Sequence, residues 1–451
     1  MSEHDGHDEV SSAEQYRRSE FLRRAGATAV GASFGLGALR AAAPAFASAA
    51  ASKTLTTWYL TGSPSEVQYI TALTNQFGKA HNLKTTVTPY DFDPMNRTLK
   101  LALSAHRGPD VAYANPSPDD QFVYQKNHWI VNLTPYANKY GWLKRQSPSV
   151  TNYWNDQCCE RQLTGIPFDL AAVGWFYNPS IFAKYGLKVP TTYAEFTSLL
   201  SKLKSNGVTP IAVGGLNIAN PGSMPYILEQ LVHAVVNRAT LLKLVTRDPS
   251  ATWVSPGMIQ AFTYAQEWVK NGWVESNALA TSGSDADALF LNGQAAMTVD
   301  GTWNTATFLK GASGFTPRFF TMPRINPRIP YTIGGYTPNN QWMISAFTKE
   351  KDTAAAYINY MLGEHAAMTL WNNGDIPAYK FAKQPHAKSQ LQSDIYAAMQ
   401  KAQTGVFLNT VGGFFSTQWS AVLQQLFSGS VTPTQAVQTV EANYKKTLKE
   451  G

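Results

Sequence analysis

From Lys53 onward, short β-type runs alternate with amphipathic helical stretches, and that alternation leaves few folds open. Lys53–Leu60 reads as a strand, Ser65–Ala80 as a helix, Lys84–Pro89 as a strand, Pro94–His106 as a helix and Asp110–Ala114 as a third strand. Helices inserted between strands must bury their apolar stripes on a sheet, so the expected class is α/β. Later helices carry clear ends. Thr192-x-x-Glu195 is a capping box, in which the hydroxyl accepts from an orphan amide while the carboxylate reaches back to the cap. Phe196, Leu199, Leu200 and Leu203 then form one stripe, and Asn206-Gly207 stops it. Ser255-Pro256 opens another helix that Asn271-Gly272 closes, and Thr432-Pro433 opens the last, with Val437, Val440, Tyr444 and Leu448 on one face.

Composition excludes several classes. Across 451 residues, 44% are hydrophobic and 15% charged, with 12 Trp, 21 Tyr and 22 Phe, which is ample for cores and rules out a disordered polyampholyte. Length alone predicts two or three domains. Two cysteines rule out a disulfide scaffold and a thiolate-rich metal module. They are adjacent, Cys158-Cys159, and fit either a strained vicinal disulfide or two reduced, buried thiols. The net charge of +7 is spread along the chain with no run of four basic residues, so the footprint of a nucleic-acid binder is absent. No H-E-x-x-H, metal-spaced histidine cluster or phosphate-cradling loop occurs, and neither a metal nor a cofactor is expected. Asp119-Asp120 and Asp285-x-Asp287 are acid pairs in sequence, but helix-start acids explain them better than a hydrolase pair facing across a cleft.

The first segment reads as an address. Arg17-Arg18 and Arg23-Arg24 precede a weakly apolar, Ala- and Gly-rich stretch, Ala25–Ala51, and Ala45-Phe46-Ala47 offers a small-residue cut. Residues 1–47 are therefore expected to be an export signal resembling the twin-arginine type, although Ser19-Glu20 places two residues where the usual pattern has one. Gly31-Ala32-Ser33-Phe34-Gly35 spells a nucleophile elbow but lacks the strand–turn–helix context that motif needs. No cysteine lies near the cut, which argues against a lipid anchor, and no later stretch approaches 18 uninterrupted apolar residues.

Several motifs then occur in a fixed succession: Gly165-Ile166-Pro167-Phe168-Asp169, Gly174-Trp175-Phe176-Tyr177-Asn178-Pro179, Phe182-Ala183-Lys184-Tyr185-Gly186-Leu187, Pro190-Thr191-Thr192-Tyr193-Ala194-Glu195-Phe196, Asn206-Gly207-Val208-Thr209-Pro210-Ile211-Ala212, and Phe290-Leu291-Asn292-Gly293-Gln294-Ala295-Ala296-Met297-Thr298 running into Asp300-Gly301-Thr302-Trp303. This succession resembles the extracellular solute-binding proteins of carbohydrate ABC transporters, the maltose-binding-protein-like family 1, from about Lys53 to the C-terminus. The resemblance implies a periplasmic-binding-protein-like type II fold, two α/β lobes joined by a three-crossing hinge. Lobe 1 would hold 53–165 plus 315–372 and lobe 2 would hold 166–314 plus 373–451. The crossings would fall near Ile166–Phe168, Gly314–Pro317 and Asn372–Pro377.

A sugar offers an apolar face and a rim of hydroxyls, so its site needs aromatic rings and a few placed polar groups. Trp303 follows the apparent strand Gln294–Asp300 and a Gly301 turn, where α/β proteins place ligand contacts, and matches a sugar-stacking position of the family. Trp419 and Tyr226 are similar to further aromatic contacts of the family, and Asp169 lies just past the first proposed crossing. Asp91, Asn115 and Tyr59 stand at or after the ends of the first three strands. Tyr336 and Asp375 lie near the other crossings. The expected function is capture of a mono- or oligosaccharide by hinge closure and delivery to the membrane permease subunits of an ABC importer, by an exported monomer. The same fold binding a polyamine, phosphate ester or peptide is the alternative, and a secreted carbohydrate-active enzyme is more remote.

Overall fold

The computed structural model describes residues 53–116, 118–151, 162–216, 223–330, 332–334, 337–408, 411 and 419–450. The export signal expected over 1–47, Cys158-Cys159 and Tyr336 lie outside the described residues.

The chain opens with β1 (Thr54–Leu60), α1 (Pro64–Ala80), β2 (Lys84–Tyr90), α2 (Phe92–Ser104) and β3 (Val111–Ala114), each within two residues of the element predicted from sequence. Helix α2 starts before Pro94 because the first-turn amides have no intrahelical partner, so a missing N–H there costs nothing. Next come β4 (Asp169–Ala171), β5 (Val173–Tyr177), α3 (Tyr193–Ser205), β6 (Thr209–Ala212), α4 (Met224–Val235), α5 (Pro256–Lys270), α6 (Gly283–Leu291) and β7 (Ala295–Gly301). The remainder holds β8 (Arg318–Phe320), β9 (Thr332–Ile333), β10 (Thr337–Pro338), β11 (Gln341–Ile344), α7 (Lys351–Met361), α8 (Glu364–Asn372), β12 (Ile376–Pro377), α9 (Gln390–Lys401), β13 (Gln403–Thr404), α10 (Ser420–Ser428) and α11 (Pro433–Glu450). The capping box at Thr192 and Glu195 forms with both of its bonds.

Two four-stranded sheets organise these elements. The first has the order β11-β3-β1-β2, with β1 parallel to β2 and β3 and with β11 antiparallel to β3. The second has the order β6-β7-β5-β8, with β5 antiparallel to both neighbours. Between them a short sheet, β10-β4-β12, is antiparallel throughout and draws one strand from each passage between the lobes. Each main sheet anchors a large core. Leu55, Val111, Trp342, Ile358 and Trp371 belong to the first, and Trp175, Phe196, Leu228, Trp268 and Val437 to the second. Gly174 in β5 is required by packing, since a Cβ there would sit 2.3 Å from the Phe319 ring.

One expected boundary moves. Strand β8 pairs Trp175 with Phe320 and Tyr177 with Arg318, so the chain is still in the second sheet beyond Gly314–Pro317 and leaves it only after Phe320. Helix α9, expected in lobe 2, lies against β8, where Arg318 Nε donates to Asp394 Oδ2 at 2.5 Å and the Phe319 amide donates to the same oxygen at 3.3 Å, and it also reaches the first core through Leu391, Ile395 and Met399. Strand β8 stays in the second sheet because Phe320 packs its ring against Trp175 and Phe196 there.

Candidate ligand-binding cleft

Six side chains, Glu66, Tyr69, Asp169, Tyr226, Asp287 and Asp375, keep part of their surface accessible although protein surrounds them almost completely. A group that is accessible deep inside a fold lines a cleft rather than the outer surface. These residues fall on two walls.

The first wall joins carboxyls to tyrosines. The Tyr59 hydroxyl donates to Glu66 Oε1 at 2.6 Å, and the Gly62 amide donates to Glu66 Oε2 at 2.6 Å. The Tyr69 hydroxyl donates to Asp375 Oδ2 at 2.6 Å. The Tyr113 hydroxyl donates to Asp169 Oδ1, whose other oxygen accepts from Asn339 Nδ2 at 2.7 Å. Strand pairing produces this convergence, because Asp169 opens β4 directly opposite Pro377 of β12, two residues beyond Asp375. Burial strips water from the three carboxyls and pushes their pKa values upward, Asp169 to about 7, and the charge on Glu66 raises Asp169 and Asp375 further. Near neutral pH, Asp169 is therefore poised between accepting two hydrogen bonds and donating one.

The second wall is aromatic. Tyr226 meets Trp303 edge-on with centroids 6.0 Å apart, Phe407 lies 6.4 Å from Tyr226, and Trp303 lies 6.3 Å from Phe407. All three rings are partly exposed at the rim of the second core. The turn after β7 fixes Trp303. Thr302 exchanges two hydrogen bonds with Ala172, at 2.9 and 3.1 Å, while the Asp300 carboxylate accepts from the Gly301 amide at 2.6 Å and from Asn304 Nδ2 at 2.8 Å. Only glycine fits at 301, because a Cβ there would lie 2.1 Å from the Trp303 ring folded back over it. Asp287 hydrogen-bonds Asp300 from α6, and burial, with the adjacent carboxyl, pushes Asp287 up. The walls meet at Gly62, where a Cβ would approach the Trp303 carbonyl oxygen to 3.3 Å.

Of the residues predicted from sequence, Asp169 and Asp375 fall on the first wall and Tyr226 and Trp303 on the second. Tyr59 has no exposed surface. It stacks on Tyr113 with centroids 4.8 Å apart and supports the wall through Glu66. Trp419 is a correction. Its ring is fully buried in the second core, 5.3 Å from Trp253 and 6.0 Å from Phe262, and presents nothing to a ligand. Asp91 is the exposed N-cap position of α2, and half-buried Asn115 reaches Asp120 at 3.4 Å. Neither joins the six enclosed groups. Sequence reasoning missed Glu66, Tyr69, Tyr113, Asn339, Asp287, Asp300 and Phe407. A signal existed for Glu66, because Ser63-x-x-Glu66 has the spacing of a capping box at a strand end. The sequence pattern makes Asp287 a helix-start acid, but Ser282 caps α6 and Asp285 serves that end.

Among the described residues, no cluster of His, Cys, Asp or Glu is arranged to hold a metal ion, and no helix is long and apolar enough to cross a membrane. Residues 62–368 match the family model described as "Bacterial extracellular solute-binding protein". A "Probable sugar-binding periplasmic protein" of Rhizobium meliloti (strain 1021) is 26% identical over 57% of this chain and 60% of its own length. A "Multiple sugar-binding protein" of Streptococcus mutans serotype c is 24% identical over 61% of this chain and 63% of its own. The chain thus spans about three fifths of the length of these curated relatives. A solved "Chitin oligosaccharide binding protein" superposes with a TM-score of 0.77 at 21% identity, covering 88% of this chain and 99% of that one. That likeness shows the fold, the periplasmic-binding-protein-like type II arrangement of two α/β lobes on a three-crossing hinge. The chain belongs to the family of bacterial extracellular solute-binding proteins.

Proposed function

We propose that this chain is the substrate-binding component of an ABC sugar importer. The observation that carries this reading is the meeting of the two walls at Gly62: three rings that can cover the apolar face of a pyranose, and carboxyls that can accept its hydroxyls. The names of the relatives from Rhizobium meliloti and Streptococcus mutans point the same way. Trp303, Tyr226 and Phe407 stack on the sugar, and Asp169 and Asp375 bond its rim. Each hydroxyl buried without a partner costs roughly 1–3 kcal/mol, so the acid wall sets specificity.

The rings stand on the second core and the acid wall on the hinge sheet and the first sheet's side, so a sugar touching both favours the closed arrangement of the lobes. The closed form then delivers its cargo to membrane permease subunits. The protein works as an exported monomer, with residues 1–47 as a twin-arginine-type signal, and binds without chemical conversion. Small-angle scattering tests the closure, since a tight-binding sugar that leaves the radius of gyration unchanged contradicts it.

A cationic solute is the second reading, favoured by the carboxyls of Glu66, Asp169 and Asp375 gathered on one wall. A thermal-shift panel decides between them. Ligand at a hundredfold excess over Kd stabilises the native state by about 2.7 kcal/mol. Galactose, raffinose and chitotriose are the sugar arm, with spermidine and glycerol phosphate as controls. A shift with a control and none with any sugar overturns the main reading.

A further inference from the structure

The aromatic wall rests on a support buried beneath it. Tyr226 stands in the first turn of α4, and the same helix buries Glu229, Gln230 and His233. Spacings of three and four residues place these four on one side of the helix. Phe407 reaches the wall on segment 404–408, which runs along that side. Arg238 Nε donates to the Thr404 carbonyl at 2.7 Å, the Val406 amide donates to His233 Nε2 at 3.1 Å, and the Leu408 amide donates to Glu229 Oε1 at 3.2 Å. The last two anchors flank Phe407 on either side.

The state of the histidine follows from its partners. A backbone amide can only donate, so Nε2 must carry no proton, and the ring proton sits on Nδ1, which donates to the Glu229 carbonyl at 2.9 Å. Burial favours the same neutral ring and pushes its pKa down to about 4. Gly405 makes the seating close, since a Cβ there would fall 2.1 Å from the Ile333 carbonyl oxygen and 3.3 Å from His233 Nε2. Any side chain at 405 lifts the segment off its anchors.

We propose that His233 and Glu229 are positioning residues of the binding site, which touch no ligand but hold the Val406 and Leu408 amides so that Phe407 completes the aromatic wall beside Tyr226 and Trp303. Only the affinity arm of the test rests on the sugar reading. In the ¹⁵N-labelled chain, with the Trp303 indole signal assigned through Trp303→Phe, His233→Ala moves that signal as Phe407→Ala does, and the double substitution moves it no further. His233→Gln, whose Oε1 can accept from the Val406 amide, restores the wild-type position. Against whichever of galactose, raffinose or chitotriose the wild type binds, His233→Ala and Phe407→Ala each weaken binding about tenfold, and together about tenfold rather than a hundredfold. Additive effects overturn the proposal, as does a His233→Ala protein that melts earlier with its indole signal and affinity unmoved. If His233→Ala does not fold, the wild type still decides, because a long-range ¹⁵N–¹H spectrum showing the His233 proton on Nε2 contradicts the proposal without any variant. A wild type that binds none of the sugars refutes the sugar reading and leaves the indole and tautomer tests in force.

Discussion

The two walls of the cleft hold their functional groups in different ways. On the aromatic wall the backbone does the work. Trp303 is fixed by the Thr302–Ala172 bonds and by the glycine under its ring, and Phe407 by amides pinned to α4. On the acid wall side chains hold side chains, each carboxyl being gripped by a tyrosine hydroxyl. The rings belong to the second core, whereas Asp169 and Asp375 lie at the strands of the hinge sheet. A rigid apolar wall supplies contact area with little ordering cost. An acid wall at the hinge changes its hydration when the lobes move.

Substitutions can break this contrast, and the largest effect lies behind the aromatic wall rather than on it. Trp419→Ala empties a fully buried site between Trp253 and Phe262 and should cost about 3–5 kcal/mol of stability in chemical denaturation, with sugar affinity per folded molecule unchanged. Trp303→Ala should do the reverse, weakening sugar binding about a hundredfold, or about 2.7 kcal/mol, in calorimetric titration while the melting temperature barely moves. If both tryptophans lower stability alike, Trp303 is a core residue and the aromatic wall is misassigned.

The acid wall should show itself in pH. Asp169 has a folded-state pKa of about 7, well above its unfolded value, so the folded chain binds more protons than the unfolded chain between about pH 4 and pH 7. Its contribution is present at the acid end of that window and is lost as pH rises through 7. Glu66 and Asp375 are shifted in the same direction. His233 opposes them, because its lowered pKa costs stability as pH falls from its ordinary value towards 4. Asp287 and Asp300 are raised as well, and five buried acids against one histidine predict a ligand-free protein that melts higher at pH 5.5 than at pH 8. Asp169→Asn should flatten that slope and weaken sugar binding about tenfold, which melts at both pH values and a titration together check. The smallest effect belongs to Tyr69→Phe, which removes one donor from Asp375 and should weaken binding only about three- to fivefold.

Much of the fold was legible in the sequence because its signals are local. The caps at Thr192, Ser255 and Thr432 and the stripe through Leu199 and Leu203 specify helices within a few residues of chain. Trp303 was legible for a similar reason, standing directly after a strand and a glycine turn. The acid wall was not, since Tyr69 and Asp375 meet across 306 positions and no local pattern links them. Trp419 misled because local sequence gives a ring its identity but not its depth, and depth is decided by Trp253 and Phe262 from another element. The second crossing was displaced because β8 spans only three residues, too few to show a period of its own.

A crystal structure of the chain with the tightest-binding sugar of the panel tests the central claim most directly. The account predicts a sugar ring stacked on Trp303, with hydroxyls within hydrogen-bonding distance of Asp169 and Asp375. A sugar bound elsewhere, or one held in the cleft by a single wall with the other untouched, contradicts it.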